Sequence, residues 1–404
     1  MGFKKNIKII LAIFIVFSCL TATQTGWKFS GIPAVNYNSD DGFGYGVIGS
    51  VFNYKEGGYN PYYLKINSTI FRTTGGKQLY SIFIDSPFIP NQNYRLNLRL
   101  QLRDEDNYPY FGPGNASTYN ADFLDEDNIN IYKGDKYYYF RKKQVKLLVH
   151  LQRKLYSMSE DVKGISGLVG FGFSNSENFY KDNDGMTTKL LEHVNQGIIS
   201  EKEFNDGLSN FVKFGLIYDT RNREVNPTRG AWTSFLTELH SEILGGDFNF
   251  TRMTLLDRRY FKLWRNLNFA NRIIIENLSG TVPLSLQYPF GSTMKVHEGI
   301  GGVRTLRGIL KNRYFGDTEF FMNSELRYTF WETEFLKQNF KFTAVTFLDI
   351  GRVWENEVDS FDNIHHSQGL GSYITWNENF TVFIKAGFSE EAGMQIYLDT
   401  DFLF

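Results

Sequence analysis

From about residue 28 onward the chain repeats one pattern, roughly ten residues of alternating apolar and polar side chains and then a turn. In GMQIYLDTDFLF, Met394, Ile396, Leu398, Phe402 and Phe404 fall on one face and Gln395, Tyr397, Asp399 and Asp401 on the other. Phe380, Val382, Ile384, Ala386 and Phe388 alternate in the same way with Thr381, Phe383, Lys385, Gly387 and Ser389, as do Val212, Phe214, Leu216 and Tyr218 with Lys213, Gly215, Ile217 and Asp219. About sixteen such segments occur, an even number. Connections after odd-numbered segments are long (106–129, 175–209, 279–315), and those after even-numbered ones are tight, as in NYKEGGYN, FKLWRN and TWNEN, with RNREVNPTRG longer. Long outer loops, short inner turns and an even count predict an all-β fold, a sixteen-stranded antiparallel transmembrane β-barrel over 27–404. A secreted β-sandwich also alternates. It would leave many strand edges exposed, however, and closure removes them.

The N-terminus changes the picture only by adding a leader. Lys4, Lys5 and Lys8 precede an apolar run from Ile9 to Leu20, then Thr21, Ala22 and Thr23, which is the form of a secretory signal peptide over 1–23. The single cysteine, Cys19, lies inside it; a lipoprotein site there would have bulky Phe17 and Leu20 as neighbours. The mature chain is therefore expected to hold no disulfide. No later run of 18 apolar residues exists, which excludes an ordinary helical membrane protein. A net charge of -1, with both signs interspersed, offers no basic stripe for nucleic acid.

Motifs that suggest chemistry have plainer readings. GFGYGVIG contains Gly44, Gly46 and Gly49 in G-x-G-x-x-G spacing, but they alternate with Phe43, Tyr45 and Val47 inside a strand, where glycine permits close packing. YKDNDGMTTKLLE places Leu191 at the twelfth position of a would-be calcium loop and Glu192 one place late. His365 and His366 are adjacent and point to opposite faces, and no other histidine or cysteine stands at ligand spacing. No G-x-S-x-G occurs. The expectation is no enzyme, no cofactor and no metal.

The sixth outer connection, between the eleventh and twelfth segments, carries GGVRTLRGIL, with Arg304 and Arg307 and no acidic residue. In FFMNSELRYTF the even positions, Phe320, Met322, Leu326, Tyr328 and Phe330, are mainly apolar and should face lipid, which turns Asn323, Glu325 and Arg327 inward. In AVTFLDIGRVW the same rule turns Phe347, Asp349 and Gly351 inward. Two carboxylates thus point into the barrel from neighbouring strands, and a planar guanidinium can take one bidentately and still serve the other. Parity alone leaves Arg307 open as a solvated loop residue, and it assigns Arg304 no role.

GGVRTLRG, SELRYTF and FLDIGRVW, in that order, resemble the bacterial surface antigen barrel of the BamA and TamA superfamily, and the resemblance covers nearly the whole mature chain. It implies a sixth outer loop folded into the lumen and latched there, Arg307 and Gly308 meeting Glu325, Asp349 and Gly351. YDTRNREVNPTRG resembles a family turn segment through Asp219, Arg221, Pro227 and Gly230, and the terminal Phe404 is similar to an assembly signal. Ile309 stands where the family has Phe or Tyr, so the loop tip is expected to pack less tightly. The length fits a barrel alone, without periplasmic POTRA domains. The implied role is insertion or translocation of proteins through a seam between first and last strands. Its partners would be outer-membrane lipid and lipopolysaccharide, unfolded outer-membrane clients and accessory envelope proteins. A solute pore and a structural envelope subunit are the alternatives.

Overall fold

The computed structural model describes residues 25–404 apart from 60, 90–93, 159–162, 225, 294–297, 336–337, 356–357, 359, 377–379 and 401–403. The signal peptide expected over 1–23 and the side chains of Asp401 and Phe402 lie outside the described residues. Sixteen strands are formed: β1 (Trp27–Asn38), β2 (Gly42–Asn53), β3 (Leu64–Thr73), β4 (Lys77–Ile89), β5 (Tyr94–Pro109), β6 (Tyr139–Ser157), β7 (Gly164–Tyr180) and β8 (Asp206–Asp219) in the first half. The second half holds β9 (Gly230–His240), β10 (Phe250–Lys262), β11 (Leu267–Gly280), β12 (Thr318–Phe335), β13 (Gln338–Trp354), β14 (His365–Trp376), β15 (Phe380–Ser389) and β16 (Gly393–Thr400). Each pairs antiparallel with its sequence neighbours, and β1 pairs with β16, so the sheet closes into the expected barrel.

Alternation sorts the two faces. Val169, Phe171, Phe214, Leu216, Phe235 and Leu255 are exposed on the outside, as a lipid-facing wall requires, while Lys142, Lys213, Glu238, Arg252 and Glu276 are buried inside. The glycines of GFGYGVIG lie in β2; a Cβ at Gly46 would sit 2.1 Å from the Ile70 carbonyl oxygen of β3, so this is wall packing. The YKDNDGMTTKLLE segment follows β7 and runs into a short helix, and among the described residues no group of His, Cys, Asp and Glu is arranged to hold a metal ion.

The three long connections span 110–138, 181–205 and 281–317, and only the second is shorter than the alternation predicts, because β7 and β8 continue beyond the apolar band; β5 likewise runs on to Pro109, while β6 begins only at Tyr139. There the outer face carries Asp104, Arg141, Lys143 and Glu177, so the ladder persists where the hydropathy signal has stopped. Strand length also varies around the barrel. Among the described residues β6 has 19 and β12 has 18, whereas β15 has 10 and β16 has 8.

Residues 281–317 fill the lumen. Lys142 Nζ donates to the Ser285 carbonyl at 2.8 Å and Lys213 Nζ to that of Ser292 at 3.0 Å, while His150 Nδ1 lies 3.0 Å from the Thr293 carbonyl. Farther along, Leu306 and Ile309 are fully buried against Ile274, Phe321 and Val353. The expected loose tip at Ile309 is therefore corrected: the branched side chain is small enough to enter a pocket between the loop and the wall and is 0% exposed.

Candidate functional site: the lumenal latch and the strand seam

Arg307 is the centre of the loop's attachment. Its backbone N–H and Nε donate to Asp349 Oδ2 at 3.0 and 2.8 Å, and Nη2 donates to Oδ1 at 2.7 Å. Nη1 donates to Glu325 Oε1, and the guanidinium lies 3.6 Å from the centre of the Phe347 ring. Arginine, Glu325 and Asp349 side chains are all 0% exposed. The register explains the meeting: Glu325 pairs with Phe347 and Asn323 with Asp349, so both carboxylates reach the lumen from adjacent positions of β12 and β13.

The backbone must come close for this to happen. Gly308 has φ +96°, and a Cβ there would stand 2.7 Å from the Phe388 nitrogen, with Gly387 of β15 meeting the loop equally closely. Gly308 N–H donates to the Tyr397 hydroxyl at 2.9 Å, and Ser389 Oγ donates to the Gly308 carbonyl at 2.6 Å. At Gly351 an added Cβ would press on Leu306 at 3.0 Å.

Several partners escape a parity argument centred on Arg307. Glu325 also accepts from Lys385 Nζ at 2.9 Å, the Tyr373 hydroxyl at 2.9 Å and Arg327 Nε at 2.8 Å. Arg272 Nη2 donates to the Arg304 carbonyl at 2.6 Å, and Asn323 Nδ2 to that of Thr305 at 2.5 Å. Lys385 and Asn323 were legible as inward positions; that they converge on one loop depends on the barrel's closure.

The same loop reaches both sides of the closing seam. Arg304 Nη2 donates to Asp399 Oδ2 at 2.6 Å and to the Thr400 carbonyl at 3.2 Å, both on β16. On the other side, Lys311 Nζ meets Asp41 at 2.8 Å and Glu105 at 3.3 Å, and Lys311 N–H donates to Asp40 Oδ1 at 2.9 Å. Asp40 and Asp41 form the turn between β1 and β2. Burial raises the Asp40 carboxyl to about 7, opposed by the Lys311 N–H and reinforced by the charge of Asp41. Burial would lower the Lys311 ammonium, but Asp41, Glu105 and Glu298 hold it well above its usual range.

Among the described residues β1 and β16 are in register at Tyr37 with Leu398 and Asn38 with Tyr397, supplemented by Ile396 N–H donating to Ser39 Oγ at 3.0 Å. From Trp27 to Asn36, β1 pairs with β2 alone among the described residues.

The remaining expected residues lie elsewhere. Asp219 takes Arg221 bidentately at 2.9 and 2.7 Å, Pro227 is buried, and Gly230 has φ +96° with the Thr220 carbonyl 2.2 Å from a would-be Cβ, so this segment is a built turn at the periplasmic rim. Phe404 departs from the lipid face that alternation assigned it. It is buried against Tyr260 and Ala270, with Arg272 and Arg327 about 5 Å over its ring, where inward-facing cations offer the aromatic face a favourable surface.

Comparison with known proteins follows this geometry. The Omp85 superfamily domain matches residues 42–383. The fold is similar to that of BamA from Haemophilus ducreyi lacking POTRA domains 1–3, at 14% identity and a TM-score of 0.56, covering 93% of this chain and 70% of that one. It is also similar to CdiB from Escherichia coli (10% identity, TM-score 0.61, 93% of this chain and 63% of that chain). CdiB from Acinetobacter baumannii gives 13% identity and a TM-score of 0.54, over 94% of this chain and 60% of that one. The chain thus spans less than two thirds of either CdiB. No curated protein matches the sequence.

Proposed function

Since the chain belongs to the Omp85 superfamily and is an integral barrel of the Gram-negative outer membrane, we propose that it inserts or translocates unfolded outer-membrane proteins through its β1–β16 seam. At the level of the family, outer-membrane protein insertion and transport are the supported activities, and they need no covalent chemistry. The observation that carries the finer reading is the seam. Among the described residues β1 from Trp27 to Asn36 has a ladder partner on one side, and an edge of that kind presents backbone N–H and C=O groups to the membrane. In hydrocarbon those groups need a strand to satisfy them. A client strand added there replaces missing ladder bonds, which is strand augmentation within a bilayer.

The proposed working unit is the barrel over 27–404 after removal of 1–23. Arg307, Gly308, Glu325, Asp349 and Gly351 serve as the latch, the Asp219–Gly230 turn as its periplasmic counterpart, and Phe404 as the chain's own assembly signal. Lipopolysaccharide and membrane lipid surround it, and accessory envelope proteins supply clients. The test is reconstitution into liposomes with an unfolded barrel client. Insertion should accelerate, and Tyr37→Cys with Leu398→Cys should stop it when oxidised and restore it on reduction, since antiparallel partners suit a disulfide. A client that inserts no faster than into empty liposomes would sink the proposal.

A further inference from the structure

A second lumenal feature lies one step periplasmic of the latch. Tyr260, Ala270 and Glu325 occupy one cross-strand row of β10, β11 and β12, and the next row toward the periplasm is Lys262, Asn268 and Arg327. Below that row opens a cavity of about 290 Å³. Arg223, Lys262, Arg265, Arg327 and Lys341 line it, against the single carboxylate of Glu332. Glu332 stands 3.9 Å from Lys341, and Glu325 engages Arg327 from the latch side. Lys262 and Arg265 form no ion pair among the described residues.

Tyr260 adds an independent signal. It is 3% exposed on the wall of this cleft, and its hydroxyl has no hydrogen-bond partner. A buried phenol without a partner is costly, and an anion in the cleft would take its proton donor. Adjacent strands are about 4.8 Å apart, so cations on β10 and β12 stand roughly 10 Å apart. That span suits two carboxylates along an extended peptide better than one small ion. The cleft faces the lumen, away from bilayer lipid.

We propose that this cleft is a binding site for an acidic, extended peptide segment entering from the periplasm, held by Lys262, Arg265 and Lys341 and positioned by the Tyr260 hydroxyl. The proposal draws on the insertion reading only for the segment's owner, a client or an accessory protein; the site's chemistry stands without it. Arginine and lysine clusters recognise acidic segments in this way, and a low-dielectric wall focuses their field.

The experiment is fluorescence anisotropy on the full barrel in neutral detergent, with a labelled peptide of alternating Gly and Glu and a Gly-Gln control. The acidic peptide should bind, weaken steeply with salt, and leave the control unbound. Lys262→Glu with Arg265→Glu should weaken it at least about tenfold. Tyr260→Phe should weaken it about threefold with the salt dependence unchanged, the signature of a lost neutral donor. Heat-modifiable mobility on gels verifies that each variant is folded. Binding that survives the double reversal, or equal binding of the Gln peptide, would overturn the site. Displacement by equimolar phosphatidylglycerol would make it a headgroup site and overturn the peptide assignment. A barrel that binds the peptide yet accelerates no insertion sinks the insertion reading and leaves the cleft standing.

Discussion

Replacing Arg307 by alanine tests the latch where its energetics are easiest to apportion. Glu325 keeps Lys385, Tyr373 and Arg327, so it stays satisfied. Asp349 is different: Arg307 supplies its backbone N–H, Nε and Nη2 donors, and the variant keeps only the first. Uncompensating one member of a fully buried pair costs about 3–5 kcal/mol, and one intact partner network puts the expected loss near the lower end. A loss of about 3 kcal/mol multiplies the released population of the loop about a hundredfold. Cysteine placed at the fully buried Ile309 reads that population, because a membrane-impermeant maleimide reaches it only when the loop leaves the lumen. Labelling should accelerate about a hundredfold in Arg307→Ala, and the urea midpoint of the barrel should fall. Arg307→Lys should lie between, keeping charge and losing the fork. In a double-mutant cycle with Asp349→Ala the coupling should be about 2–3 kcal/mol. Unchanged labelling, or a coupling near zero, would refute the latch.

Four further outcomes follow from the same contacts. Asp40 sits at about 7 in the folded barrel against 3.8 when unfolded, so the folded state holds the proton more tightly; its contribution is full below pH 4 and is lost as pH rises through 7. The thermal midpoint on heat-modifiability gels should drop between pH 5 and 8, and Asp40→Asn should flatten that dependence even though Asp41, Lys311 and Glu298 remain beside it. Arg304→Ala should raise disulfide-trapping of an incoming strand at β1, and a rate equal to wild type would remove Arg304 from seam closure. Gly308→Ala should destabilise by about 1–3 kcal/mol through left-handed strain and collision with β15, measurable by urea unfolding; Gly302→Ala, with its nearest contact at 3.3 Å, should cost less. In planar bilayers the plugged lumen should give a mostly closed, flickering trace, and large steady openings would favour a solute pore.

How much of this was legible beforehand depended on the range of the interaction. Alternation with a period of two is local, so strand number, order and the inward set of β12 and β13 could be read directly, including Glu325 and Asp349. Strand ends were misread where the ladder outlasts the apolar band, since Glu177 and Asn178 continue β7 past the end that alternation gave it. The partner of Arg304 was out of reach for a different reason. Asp399 lies 95 positions away and meets it only because the sheet closes and the loop folds inward. Phe404 shows a third limit: parity assigns faces but not partners, and Phe404 is buried against Tyr260 and Ala270.

Closure of the seam belongs more to the loop than to the strands that form it. Among the described residues β1 is in register with β2 over twelve positions but with β16 over two, so that part of the ladder contributes a few hydrogen bonds, each worth about 0.5–1.5 kcal/mol. Arg304 on Asp399 and Gly308 on Tyr397 hold β16, while Lys311 on Asp40, Asp41 and Glu105 holds the β1–β2 turn and β5. The Arg304 and Lys311 contacts are charge-assisted, partly buried bonds of higher individual strength than ladder bonds, and the Gly308–Tyr397 bond adds a neutral one. They originate from one stretch, residues 304–311, whose place Arg307 sets. A movement of that stretch therefore weakens both sides of the seam together, whereas melting the two paired positions of β1 and β16 alone leaves both strands tethered to the loop. The latch and the gate are mechanically one element, with Asp349 and Glu325 as its anchor.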